Sequence, residues 1–105
     1  FHPAVLRLIA TTVKAAHAHG KWVGVCGALA SESLAVPVLV GLGVDELSVS
    51  VPLIPAIKAR VREQSYEACQ RLAQQVLALE SADQVRAALQ QPQAAQAAPS
   101  LVLEN

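Results

Sequence analysis

The sequence predicts an α/β fold in which helix, strand, helix and strand run in series and further helices follow. Three observations carry this. Two short, apolar, β-rich stretches, 21–26 and 45–50, are separated by a helix-length segment, which is the mark of a βαβ unit with parallel strands. Outside them, apolar residues recur at helical spacing. Glycine and proline fall between these stretches, where they stop and start helices. Parallel strands are normally buried on both faces of larger sheets. Two strands can neither close a barrel nor cover themselves. The chain is therefore expected to be a piece of a larger domain, either the closing third of a (β/α)8 barrel or one edge of an open α/β sheet. Its opening at Phe1, on a helix start and without an initiating Met, points the same way.

The elements follow in order. His2-Pro3 opens the first helix, because the N–H that proline lacks has no helical partner in a first turn. Val5, Leu8, Ile9, Thr12, Val13 and Ala16 form its expected apolar face, and Gly20 closes it. The strand over 21–26 ends in Val25-Cys26. A loop over 27–33 follows, with Ser31 or Ser33 available to cap the next helix. That helix carries Leu34, Val36, Val38, Leu39 and Leu42; Pro37 is tolerable in its first turn, and Gly41 and Gly43 end it. After the strand over 45–50, Val51 to Pro55 reads as a turn. A short helix over 55–62 comes next, then a longer one over 66–79 with Cys69, Leu72, Ala73, Val76 and Leu77 on one face. A last helix, capped by Ser81, carries Val85, Ala88 and Leu89. Residues 1–90 are expected to form one structural segment, and the Gln/Ala/Pro-rich stretch 91–105 a flexible tail.

Composition narrows the function. The chain is 53% apolar, with eight basic residues balancing eight acidic ones and one each of Phe, Trp and Tyr. It lacks the charge and the stacking platforms of a nucleic-acid binder. No apolar run reaches the ~18 residues that span a bilayer, and the N-terminus lacks the zones of a signal peptide. Two widely spaced cysteines make no disulfide framework. A cytoplasmic location is expected.

The segment that carries chemistry is Gly24-Val25-Cys26-Gly27-Ala28. A cysteine at the C-terminal end of a parallel strand stands where barrel and open-sheet enzymes build their sites. A thiol can donate a proton or, once activated, act as a nucleophile. A buried structural thiol is the plainer alternative. Ser48 and Ser50 share a strand face; Ser50, at the strand end, is the candidate for a site hydrogen bond, and Ser48 is expected to be a buried hydroxyl bonded to its own backbone. His17 and His19, two apart on a helix, face away from each other and are expected to serve a helix end, not a metal. Gly41-x-Gly43 lacks the third glycine of a phosphate loop and ends a helix instead of opening one. Cys69 is expected in the core.

His2-Pro3-Ala4-Val5-Leu6-Arg7-Leu8, Gly20-Lys21-Trp22, Gly24-Val25-Cys26-Gly27 and the run from Gly41 to Ser50 together resemble the C-terminal end of Enzyme I of the bacterial sugar phosphotransferase system. The resemblance covers about residues 1–90. Pyruvate phosphate dikinase and phosphoenolpyruvate synthase share the Cys-Gly motif; the Gly-Lys-Trp stretch favours Enzyme I. The resemblance implies a (β/α)8 (TIM) barrel that binds phosphoenolpyruvate and Mg2+. The phosphoryl group passes to a histidine on another domain and then to a phosphocarrier protein. It implies that Cys26 protonates the enolate to pyruvate, with Gly27 and Ser50 beside the substrate. It also implies a barrel that dimerises, and places the Mg2+ ligands outside this chain. The family usually reads Cys-Gly-Glu, whereas this chain has Ala28, so the like-charge repulsion between a carboxylate and the thiolate is withdrawn or another group supplies it. Ala28 points to the fructose-specific, multi-domain branch. The competing readings are an oligomerisation or scaffold segment and an unrelated open α/β nucleotide binder.

Overall fold

The computed structural model describes residues 1–92. In order these form α1 (Pro3–Ala18), β1 (Gly24–Val25), two 3-10 turns (Ala28–Ser31 and Ser33–Ala35), α2 (Val36–Gly41), β2 (Glu46–Leu47), a third 3-10 turn (Val51–Leu53), α3 (Ile54–Arg62), α4 (Tyr66–Leu77) and α5 (Ala82–Gln90). The architecture is α/β but mostly helical, with β1 and β2 pairing in parallel as Gly24 with Glu46 and Val25 with Leu47. From residue 93 on, the expected tail lies outside the described residues.

Local chemistry explains the helix ends. The His2 Nδ1 accepts from the Ala4 N–H at 3.1 Å, and Pro3 takes the first helical position. Ser65 and Ser81 cap α4 and α5, their hydroxyls accepting from the N–H groups of Ala68 and Gln84. Two helices end in the same paired-bond motif. After α1, Lys21 N–H donates to Ala16 O and Gly20 N–H to His17 O. After α2, Val44 N–H donates to Leu39 O and Gly43 N–H to Val40 O. Both motifs need a left-handed residue, supplied by Gly20 at φ +67° and Gly43 at φ +90°.

The core lies among the helices. Leu6, Ala35, Val38, Leu39, Ala73, Val76, Val85 and Leu89 form it, and Val44 and Leu47 carry it to one face of the sheet. Gly41 allows α2 to lie directly on α4: a Cβ there would stand 2.0 Å from the Cys69 carbonyl oxygen. Arg7 ties α1 to the end of α4, donating through Nε to Leu77 O at 3.0 Å and through Nη2 to Leu79 O at 2.9 Å. The Arg86 guanidinium lies 4.5 Å from the Phe1 ring centre and joins α5 to the start of the chain.

Several expectations are corrected. The strands are two residues long, not six, because among the described residues each has a single pairing partner and the backbone leaves the ladder where that partner ends. In α1 the buried stripe is Pro3, Leu6 and Val13, while Val5 and Leu8 are 51% and 68% exposed. The helix carries two apolar stripes, and α4 covers the other one. The segment before α2 folds into 3-10 turns, so α2 starts at Val36 instead of Leu34. Neither Ser31 nor Ser33 caps it; its cap position is Ala35, without a side-chain bond. Gly41 is the last residue inside α2, and Gly43 is the one that ends it.

Candidate functional site

The ladder runs one bond past β2: Ser48 N–H donates to Val25 O at 2.8 Å. Cys26 follows directly after β1, so its side chain stands at the C-terminal end of both parallel strands. It is a free, exposed thiol. Gly27 comes next at φ +89°, ψ −166°. Nothing of the described residues lies within 4 Å of where its Cβ would be, and the left-handed φ is what the backbone turn requires of this glycine. That turn carries the chain from the strand into the Ala28–Ser31 turn and leaves Cys26 at the rim. Ala28 is exposed as well, so a longer side chain would have room there.

The sheet has unlike faces. Val25 and Leu47 are half-buried, whereas Gly24, Cys26, Glu46 and Ser48 are exposed, as strand alternation requires of residues on one side. Gly24 forms the floor of the open side. A Cβ there would meet the Trp22 ring at 3.2 Å and the Glu46 Oε1 at 3.8 Å, so the ring and the carboxylate both come over the glycine. The expectation of a buried Ser48 hydroxyl is overturned: Ser48 is exposed on this side, because no element covers it among the described residues. Ser50 is also exposed and precedes the Val51–Leu53 turn, its carbonyl accepting from Leu53 N–H at 2.9 Å. Cys26 and Gly27 thus follow the end of β1 directly, whereas Ser50 lies three residues beyond the end of β2.

At the other end, His17 and Asp45 form an ion-pair geometry at 2.7 Å. The same Asp45 oxygen accepts the Val23 N–H at 2.8 Å. The His17 hydrogen bond first, and the Val23 N–H second, hold the Asp45 carboxyl below its ordinary value. This clasp fixes the end of α1 to the start of both strands. Sequence reasoning missed it, as it missed Arg7, because the partners are distant along the chain. Glu46 was likewise missed: only register brings it to the thiol's side. Cys69 sits fully buried on α4, and burial pushes its thiol up; its Sγ lies 3.6 Å from Gln64 Oε1. Among the described residues no group of three or more His, Cys, Asp or Glu side chains is placed to hold a metal ion. No described helix is long and apolar enough to cross a membrane.

Residues 1–66 match the model of the PEP-utilising enzyme family's PEP-binding domain. The chain is 52% identical over 86 residues to a multiphosphoryl transfer protein of Xanthomonas campestris, a match covering 82% of the chain and 10% of that protein. It is 48% identical over 87 residues to multiphosphoryl transfer protein 1 of Escherichia coli K12, covering 83% of the chain and 10% of that protein. It is 41% identical over 85 residues to a phosphoenolpyruvate-protein phosphotransferase of a Bacillus species, covering 81% and 15%. The chain therefore spans about a tenth of the length of the first curated relatives it matches.

Proposed function

The chain belongs to the PEP-binding domain family of PEP-utilising enzymes, and from that premise we propose that it is the closing segment of the (β/α)8 barrel of a phosphoenolpyruvate-protein phosphotransferase, with Cys26 as the acid that completes the reaction. When the phosphoryl group leaves phosphoenolpyruvate for a protein histidine, the remaining enolate must gain a proton at carbon. The enolate double bond supplies the electron pair for the new C–H bond, and the enolate oxygen becomes the ketone of pyruvate. A thiol is suited to give that proton, since it gives its proton up more readily than a hydroxyl does. The observation that carries this reading is the exposed Cys26 thiol at the C-terminal end of two parallel strands, followed by a glycine that turns the backbone away.

In this reading Gly27 leaves its backbone N–H near the substrate, and Ser50 donates a hydrogen bond at its edge. Mg2+ serves such an enzyme by neutralising phosphate charge. Asp45 is engaged by His17 and Val23, and among the described residues no acidic cluster is placed to hold an ion; in this reading the Mg2+ ligands lie in other parts of the barrel. The phosphoryl acceptor is a histidine on another domain, and the next partner is a phosphocarrier protein serving sugar uptake in the cytoplasm. The relatives named multiphosphoryl transfer proteins support a multi-domain parent.

A scaffold role is the second reading. It is favoured by the exposed Val5 and Leu8 of α1, which give a dimerising barrel an apolar face. The test is rapid-quench measurement of pyruvate formed from phosphoenolpyruvate by the parent polypeptide. Cys26→Ala is expected to slow it ~10²–10⁴-fold, the usual worth of a positioned general acid, while Cys69→Ala does not. A Cys26→Ala protein as fast as wild type removes the assignment and leaves the scaffold reading.

A further inference from the structure

The ladder pairs Gly24 with Glu46 and Val25 with Leu47. One further step of register sets Ser48 beside Cys26, and the 2.8 Å bond from Ser48 N–H to Val25 O keeps the strands together at that step. Both side chains are exposed, on the side opposite half-buried Val25 and Leu47. Neighbouring strands lie ~4.8 Å apart, close enough for rotation about Cα–Cβ to bring a hydroxyl within reach of a thiol on the same side. Ser50 lies two residues further on, beyond the last ladder bond, and is aligned with no residue of β1.

From this register we infer that Ser48 is a positioning residue for Cys26, its hydroxyl donating to the sulfur while the thiol gives up its proton. The inference rests on the reading of Cys26 as the enolate's acid. In that step the S–H bond breaks, a C–H bond forms at the enolate carbon, and the S–H electron pair stays on sulfur as a thiolate that water later reprotonates. Negative charge grows on the sulfur only as the transition state is approached. A donor aimed at it therefore helps the transition state more than the ground state, which raises the maximal rate without tightening substrate binding. Sequence reasoning gave the catalytic neighbourhood to Ser50; the register gives the sulfur's partner as Ser48.

The experiment is single-turnover pyruvate formation by the parent polypeptide, followed as a function of phosphoenolpyruvate concentration. Ser48→Ala is expected to lower the maximal rate roughly ten- to a hundredfold, the worth of a hydrogen bond to a charged group, with the half-saturating concentration unchanged. Ser48→Thr keeps the hydroxyl and is expected to restore most of the rate. Ser50→Ala is expected to raise the half-saturating concentration instead. Because Ser48 is exposed, its truncation removes no packed atoms, and the melting temperature of Ser48→Ala is expected to match the parent's. An unchanged maximal rate in Ser48→Ala, with Cys26→Ala slow, overturns the inference and leaves Cys26 as the acid. A Thr variant as slow as the Ala variant also overturns it. A Cys26→Ala protein at the wild-type rate removes both.

Discussion

Gly41→Ala offers a direct test of how α2 and α4 are joined. The added methyl would stand 2.0 Å from the Cys69 carbonyl oxygen, 2.4 Å from its carbon and 3.0 Å from the Gln70 nitrogen. These are backbone atoms of a neighbouring helix, so no side chain can swing aside. An ordinary non-bonded contact is ~3.5 Å, so the helices must part by about 1.5 Å, and a gap of ~0.5–1 Å already forfeits a quarter to a half of a dispersion contact. The residues that lose contact, Val38, Leu39, Ala73 and Val76, are the centre of the core. Overpacking costs ~1–3 kcal/mol, and the upper end applies when backbone must move. Alanine's helix preference over glycine returns at most ~1 kcal/mol in a helix interior, and less at the last residue of α2. The net loss is about 2–3 kcal/mol, or roughly 10–20 °C in melting temperature for a domain of this size. Circular dichroism melts at matched protein concentration measure it. Gly20→Ala is the comparison, since nothing lies within 4 Å of that Cβ position and only the left-handed φ is penalised, at ~1–2 kcal/mol. A Gly41→Ala chain that melts with wild type, or with a smaller loss than Gly20→Ala, would refute the close-approach argument.

Arg7→Lys is expected to destabilise by about 1 kcal/mol, because an ammonium cannot span the Leu77 and Leu79 carbonyls as the guanidinium fork does; urea titration against wild type checks this, and an unchanged midpoint contradicts it. For Asp45, the folded carboxyl lies below its ordinary 3.8, so its charge stabilises the fold fully above the unfolded value of ~3.9 and loses that effect as pH falls through the lowered folded value. The stability difference between wild type and Asp45→Asn should accordingly be present at pH 6 and shrink below pH 4, and a difference that grows in acid reverses the sign of the argument. The 105-residue chain alone is expected to self-associate and to form no pyruvate. Among the described residues both outer sheet edges are unpaired and Val5, Leu8, Val51 and Trp22 are exposed; light scattering that finds a monomer with a sharp melt at micromolar concentration would show that its surface needs no partner.

What was legible in the sequence was what local chemistry decides. His2-Pro3 and Ser81 start helices, and Gly20 and Gly43 end them, through bonds spanning two to five residues. The order of elements and the parallel pairing followed from the spacing of two β-rich stretches. The covered face of α1 did not, because Val5-Leu8 and Leu6-Val13 are equally apolar and only the position of α4 selects the second. The strand lengths did not either, since a ladder extends only as far as its partner. The place of Cys26 and Gly27 just past the end of β1 was legible from the order of elements. Ser48 was misjudged because alternation fixes which residues share a side but not which side is covered. His17 with Asp45 and Arg7 with Leu77, separated by 28 and 70 residues, left no local trace.

The two faces of this sheet divide the labour of the fold. Val44 and Leu47 turn toward the helices and join a core that α1, α2, α4 and α5 complete without any help from the opposite face. That leaves the other face free of packing duties. Its residues, Gly24, Cys26, Glu46 and Ser48, include no large apolar side chain, and all four are exposed. Apolar residues at these positions would have aided burial in a closed barrel, whose interior is ordinarily filled by branched side chains. A thiol, a carboxylate and a hydroxyl in their place, beside a glycine that admits the Trp22 ring and the Glu46 side chain, forgo that burial. Polar groups are kept in such a setting when they act on a ligand, because without one a barrel interior would enclose them at the cost of their hydration. The apolar face explains why the segment holds its shape, and the polar face offers the groups on which the proposed chemistry draws.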